Sequence, residues 1–384
     1  MLRIFVLLIS TILLSGSSQI NHIQYPETIR IGLYASDSIN KIQLSVLSGK
    51  YSLQNIESRY GKIKKEPYSN FIIKSSEQGI SFISERDTLF FKDSLLLKGE
   101  SFNNTFLINP IENNFPFRIY DNDLTIINDN NNLLLINTVP FENYIAGVVQ
   151  AESGYRKHPE YYKIQAIISR TYAIRNIDRH KDKGYNLCDK VHCQVYYRKS
   201  TYPSIINATE YTRGEIVVDE RDMPINTVYH ANCGGMTIGS ENVWISATPY
   251  LKSVEDPFCL DMRGAKWERI ISKAVLDNYL QRHLRHRFNS EIAKEIYNFS
   301  QETRKIYLDR YNIIHLTAFR SDFNLRSTFF DMELSGDSII IKGRGFGHGV
   351  GLCQEGAMRM AEKGFSRDSI IKFYYNNSNI SNIK

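Results

Sequence analysis

Glu152 follows Val148, Val149 and Ala151, three side chains able to form an apolar wall. A carboxyl beside such a wall is desolvated, keeps its proton to higher pH and can give it to a leaving oxygen. Near the end of a helix the same residue also fits a surface ion pair. Lys163 and Arg170 lie seven positions apart, so both project from one side of a helix. Cations beside a cleft bind carboxylates or steady developing negative charge; elsewhere they coat a solvated face. His180, Cys188, His192 and Cys193 form a group of soft ligands. Two thiols and two imidazoles suit zinc, and a Cys188–Cys193 disulfide is the rival in an oxidising compartment, with Cys233–Cys259 as a second bridge that leaves Cys353 free. If zinc binds, its role is structural, because three ligands and a water are not arranged beside Glu152. The loop Gly343–Gly351 holds five glycines, so backbone can approach a ligand closely. It is not a phosphate cradle: no Lys-Ser/Thr pair follows it and no βαβ unit adjoins it.

The elements that position these groups divide the chain. Residues 28–138 read as a β-rich domain. Ile29, Ile31 and Leu33 alternate with polar residues or glycine, as do Ile42, Leu44 and Val46. Short apolar runs at Phe71–Ile73, Leu89–Phe91 and Leu133–Ile136 are separated by Asn-rich turns. From Pro140 a helix is expected to Glu152, and a second from Pro159, at a first-turn position, to about His180. Residues 190–260 read as strands with glycine turns, 267–300 as a further helical segment, Ser338–Lys342 as a strand, and Cys353–Ala361 as a final helix. The fold class is therefore α+β: a β-rich N-terminal portion, then a mixed α/β region, 139–384, whose early helices and glycine loop frame a cleft.

From Pro140 onward the chain resembles the SpoIID/LytB family, the peptidoglycan lytic transglycosylases and amidase enhancers. Tyr144–Glu152 is similar to its opening helix and catalytic Glu. Lys163–Ala166 with Ser169–Ala173 resembles its second helix, and Gln194-Val195-Tyr196 its QVY block. Thr227–His230 with Gly234–Thr237, then Trp244, Pro249–Leu251 and Val254–Asp256, follow in family order. Gly343–Ala357 resembles the glycine-rich signature almost throughout, with Cys353 where the family usually has Ser. The blocks span roughly 240 residues in order, which chance does not produce.

The resemblance implies cleavage of the β-1,4 bond between N-acetylmuramic acid and N-acetylglucosamine in glycan strands stripped of stem peptides, with a 1,6-anhydro product. Glu152 is the implied acid/base, and Lys163, Arg170, Gln194, Tyr229, His230, His348 and Gln354 are implied substrate contacts. His348 equally suits a structural bond that holds its loop, and Tyr229 and His230 carry the same ambiguity. Some family members carry a Cys/His zinc site just before the QVY block, as His180, Cys188, His192 and Cys193 would; no cofactor is expected to take part in the chemistry. Implied partners are glycan strands and an amidase acting upstream. The rival readings are a non-catalytic, glycan-binding amidase activator and a zinc-dependent hydrolase using the Cys/His group.

Composition narrows the setting. A net charge of +6 over 384 residues, with no long basic run, does not mark a nucleic-acid binder. Tyr is frequent, at 24 residues, but its ring packs half-buried strands as readily as it stacks on sugars. Met1-Leu2-Arg3, the apolar run Ile4–Leu14 and the small residues Ser15–Ser18 have the basic, apolar, small order of a secretory signal, taken as residues 1–20. No Cys follows closely, so a lipid anchor is not expected. Export to the periplasm or cell surface is.

Overall fold

The alternation of apolar residues between 28 and 140 becomes, among the described residues, eleven strands in two six-stranded sheets. The computed structural model describes residues 24–54, 70–111, 115–244 and 246–383; the expected signal segment lies outside them. One sheet runs Leu187–Cys188, Thr28–Leu33, Asn132–Pro140, Asp123–Asp129, Ser94–Gly99, Tyr51–Gln54. The other runs Thr88–Phe91, Gly79–Ile83, Asn70–Ser76, Lys41–Ser48, Thr105–Pro110, Arg118–Asp121. The predicted inward residues Ile29, Ile31, Leu33, Ile42, Leu44 and Val46 are all buried. The first sheet borrows its edge: Leu187 and Cys188 pair in parallel with Ile31 and Gly32. The thiol of Cys188 is thereby anchored to the β-rich portion.

Among the described residues eight helices follow: α1 Phe141–Ser153, α2 Pro159–Arg175, α3 Pro203–Tyr211, α4 Lys273–Leu284, α5 Ser290–Tyr297, α6 Leu316–Asp322, α7 Gln354–Glu362 and α8 Arg367–Tyr374. With strand and helix each near 30% of the chain, the α+β expectation holds. Pro159 stands in the first turn of α2, behind the His158 cap. Helix α2 stops at Arg175, short of the expected His180, where Asn176 turns its side chain back onto the Tyr172 carbonyl at 2.8 Å. Helix α3, within a stretch expected to be strands, also begins on a proline, Pro203. The remainder of 190–260 is largely loop with short strands. Trp267 sits on the strand Lys266–Ser272, not on a helix. The helix expected to be last begins at Gln354 and is followed by α8; Cys353 is its cap, the thiol accepting from the Gly356 amide.

One contiguous core joins the buried strand residues of 29–139 to α1, α2, α7 and α8. A separate core forms where α4, α5 and α6 cover the sheet Lys266–Ser272, Ser338–Arg344, Phe330–Ser335. A two-residue parallel pairing, Tyr229–His230 beside Leu352–Cys353, joins the expected Tyr-His block to the end of the glycine loop. Gly351 has φ +69 in that loop, and a Cβ there would lie 2.2 Å from the Val228 carbonyl oxygen, so only glycine lets the two segments close.

Candidate active site

Helix α1 carries Glu152 at its last turn, where the Gly154 backbone, φ 68, ends the helix. The apolar wall expected from Val148, Val149 and Ala151 does not form: the two valines are spent in the core and Ala151 is exposed. Glu152 instead opens into a cleft of about 800 Å³ whose apolar surfaces are Val228, Tyr172, Trp244 and Phe346. The Val195 amide donates to its Oε1 at 3.1 Å, and the Tyr229 hydroxyl also bonds to it. Burial outweighs these two donors and raises the carboxyl above its ordinary range. The negative end of the α1 dipole acts in the same direction. Among the described residues lining the cleft, Glu152 is the one carboxylate.

The two histidines of the wall are held neutral by burial. Val350 N donates to His348 Nδ1 at 3.1 Å, so Nε2 carries the proton and donates to the Tyr229 carbonyl at 3.0 Å. Both nitrogens are thus used by backbone, and burial brings the ring down to about 4. His348 holds its loop. His230 is the reverse case. Its Nδ1 is bonded to the Val350 carbonyl at 3.0 Å and so carries the proton. Its Nε2 is a buried acceptor with no partner among the described residues. Burial pushes this ring well down as well. His230 therefore keeps one bare acceptor, sealed within the cleft wall. The His348 ring lies 5.4 Å from those of both His230 and Trp244, which ties the three into one wall.

Gln354 reaches the cleft from the start of α7, with its amide 3.4 Å from Gln165 Oε1. Gln194 stands behind the wall, accepting from the Tyr144 hydroxyl at 3.3 Å and bonding to the Tyr229 hydroxyl. Its place is to orient Tyr229 and, through its neighbour Val195, to bring an amide to Glu152.

Arg170 and Lys163 do not meet the cleft. Arg170 is fully buried and makes a two-pronged ion pair with Glu142, Nε to Oε1 at 2.8 Å and Nη2 to Oε2 at 2.7 Å. Its other donors reach the Glu215 and Thr209 carbonyls at 3.0 and 3.1 Å. Fully buried among these partners, the guanidinium is closed to a ligand. Lys163 lies over the Tyr211 ring at 4.3 Å and pairs with Glu160 at 3.0 Å. The cations that line the cleft are Arg179 and Arg320. Sequence spacing did not single them out, and neither did it choose Trp244 and Phe346 as wall residues. Phe346 had one available signal: a large apolar residue inside a glycine loop, 46% exposed here, has no core to join.

The four soft ligands do converge. Donor atoms of His180, Cys188, His192 and Cys193 all lie within 4.8 Å of one another. Cys193 Sγ is 3.4 Å from His180 Nε2 and 3.7 Å from His192 Nδ1, and Cys188 Sγ is 3.8 Å from that same nitrogen. Metal–ligand bonds of roughly 2.0–2.3 Å arranged tetrahedrally separate the ligands by such distances, so this donor set fits zinc. All five cysteines are free thiols, and neither of the two rival bridges is formed. His192 and Cys193 themselves line the cleft, three and two residues before the amide that binds Glu152.

Residues 129–218 match the family described as Stage II sporulation protein. The chain is similar to Stage II sporulation protein D of Bacillus subtilis, 30% identical over 64% of this chain and 76% of the relative. It is similar to the protein of that name from Bacillus amyloliquefaciens, 32% identical over 64% and 75%. An uncharacterized protein of Brachyspira hyodysenteriae is 30% identical over 90% of this chain and 94% of its own length. An amidase enhancer of Bacillus subtilis is 25% identical over 60% of this chain, which covers 39% of that relative.

Proposed function

Since the chain belongs to the stage II sporulation protein D family, we propose that it is a lytic transglycosylase acting on glycan strands of peptidoglycan. The solitary carboxylate carries this reading. Glycoside hydrolysis by water ordinarily uses two carboxylates, one of them for water or for a covalent intermediate. Here one buried acid faces the cleft without a second among the described residues, which suits a reaction that needs one group twice. Protonated Glu152 gives its proton to the bridging oxygen as the bond from the muramic C1 to that oxygen breaks. As carboxylate it then takes the proton of the muramic C6 hydroxyl, whose oxygen bonds to C1 and closes a 1,6-anhydro ring. Glu152 ends protonated, and no water is consumed.

Supporting groups fall into place around that step. The Tyr229 hydroxyl and Val195 amide steady the carboxylate when it forms. Trp244 and Phe346 offer faces for sugar rings, and Arg179 and Arg320 offer charge to the lactyl carboxylates of muramic acid. Zinc held by His180, Cys188, His192 and Cys193 would fix the loop that presents Val195, a structural contribution. Action outside the cytoplasm follows from the basic, apolar, small order of Met1–Ser18.

The test is digestion of intact and amidase-stripped peptidoglycan, with mass spectrometry of the products. Anhydro-muramic ends, more abundant from stripped strands, are expected. Reducing ends would mean a water nucleophile and overturn the one-acid scheme. The amidase-enhancer likeness favours one alternative, a glycan binder that activates an amidase. No cleavage by the wild type, together with faster amidase turnover in its presence, would establish that reading instead.

A further inference from the structure

A second group of soft ligands lies in the core behind the cleft, made by segments far apart in the chain. Cys233 follows the Tyr229–His230 strand, Asp256 and Cys259 flank a short helical turn, and Cys353 caps α7. All four side chains are buried, and their donor atoms lie within 4.8 Å of one another. Cys233 Sγ is 3.4 Å from Cys259 Sγ and 3.2 Å from Asp256 Oδ2. These are edge lengths of a tetrahedron around an ion about 2.0–2.3 Å from each ligand. We propose that Cys233, Asp256, Cys259 and Cys353 form a structural site for a thiophilic divalent cation of the zinc type, separate from the His180 group.

A Cys233–Cys259 disulfide accounts for less of this arrangement. It would use two of the four ligands and leave a buried thiol and a buried carboxylate side by side. Among the described residues, Asp256 is held by the Phe258 amide at 2.9 Å, the Tyr374 hydroxyl at 2.9 Å and the Cys233 thiol, none of them cationic. A buried carboxylate without a counter-charge is costly, and a bound cation removes that cost. The surroundings are those of a ligand shell. Amides of Cys233 and Gly356 point at Cys353 Sγ, at 3.3 and 3.4 Å. Tyr374 orients the carboxylate, and Arg304 binds the Cys233 carbonyl at 2.6 Å. Such outer contacts fix ligands and spread thiolate charge. A Cβ on Gly356 would come within 2.3 Å of Asp256 Oδ2, so a side chain there would displace the ligand. Three thiolates and a carboxylate in a closed tetrahedral set suit zinc over the harder divalent ions. Bound there, the ion ties the strand bearing Tyr229 and His230 to the start of α7 bearing Gln354, and so sets the spacing of the cleft wall.

The full chain, purified without chelator or reductant, is analysed for metal by mass spectrometry under native conditions, and for cysteine state by non-reducing peptide mapping. Two ions per chain are expected. A Cys188→Ser/Cys193→Ser variant should keep one, and its cobalt-substituted form should show the strong thiolate-to-cobalt absorption of three sulfur ligands. Cys353→Ser should lose one ion while the His180 group keeps its own. Ser can still accept from the Gly356 amide as the helix cap, so loss of the ion in Cys353→Ser reports the ligand; the Cys188→Ser/Cys193→Ser result decides if that variant does not fold. A metal-free Cys188→Ser/Cys193→Ser protein, or a linked Cys233–Cys259 peptide from the wild type, would overturn the proposal.

Discussion

Helix α1 carries a glutamate at each end, and the two have been given opposite surroundings. Glu142, in the first turn, sits against the positive end of the helix dipole and takes both prongs of Arg170, with the Tyr25 hydroxyl on the same carboxylate. Glu152, in the last turn, faces the negative end of the dipole and meets two neutral donors in a cleft. One carboxylate is locked by a cation and sealed in the core. The other is desolvated without a cation and left open to a ligand. A buried acid becomes a proton donor when its partners are neutral; a matched cation makes it a strut.

The sharpest way to break this contrast is to neutralise each end in turn. Glu152→Gln should lower cleavage by about 10²–10⁴, since a one-acid scheme has no second group to compensate. Its thermal stability at neutral pH should not fall. The raised Glu152 stabilises the fold below its ordinary range, and that contribution is lost as pH rises through the raised value. Full activity in Glu152→Gln would move the chemistry elsewhere. Arg170→Ala should do the opposite. It strands a buried Glu142 and should cost about 3–5 kcal/mol of stability, measured by denaturant unfolding. A stable, folded Arg170→Ala with weakened glycan binding would return Arg170 to the cleft.

A subtler probe leaves both carboxylates in place. Wild-type kcat/KM should fall as pH rises through the elevated Glu152 value, because the proton donor is lost. Tyr229→Phe removes a hydrogen bond that favours the carboxylate, so this falling limb should move to higher pH. A limb that stays put or moves down would separate Tyr229 from the acid. The smallest effect belongs to Lys163→Ala. Its pair with Glu160 is on the helix surface, and its loss should change stability by about 0–1 kcal/mol and leave turnover unchanged. A tenfold drop in rate would mean that Lys163 reaches substrate after all.

What the sequence by itself determined was everything carried by short-range pattern. Period-two alternation marked the strands of 28–140, prolines marked helix starts, and His180 to Cys193 fall within fourteen positions, near enough for local chain geometry to gather their donors. The order of the family blocks pointed to Glu152. The tertiary structure decided which charges are buried together. Arg170 and Lys163 share a helix side in projection, yet α3 and Glu142 close over the first and leave the second at the surface, a matter of long-range packing that spacing does not encode. The second soft-ligand group spans Cys233 to Cys353, so no local motif announces it. Its members meet because a strand, a short turn and a helix cap converge on one point, and that convergence exists only once both sides of the cleft are folded.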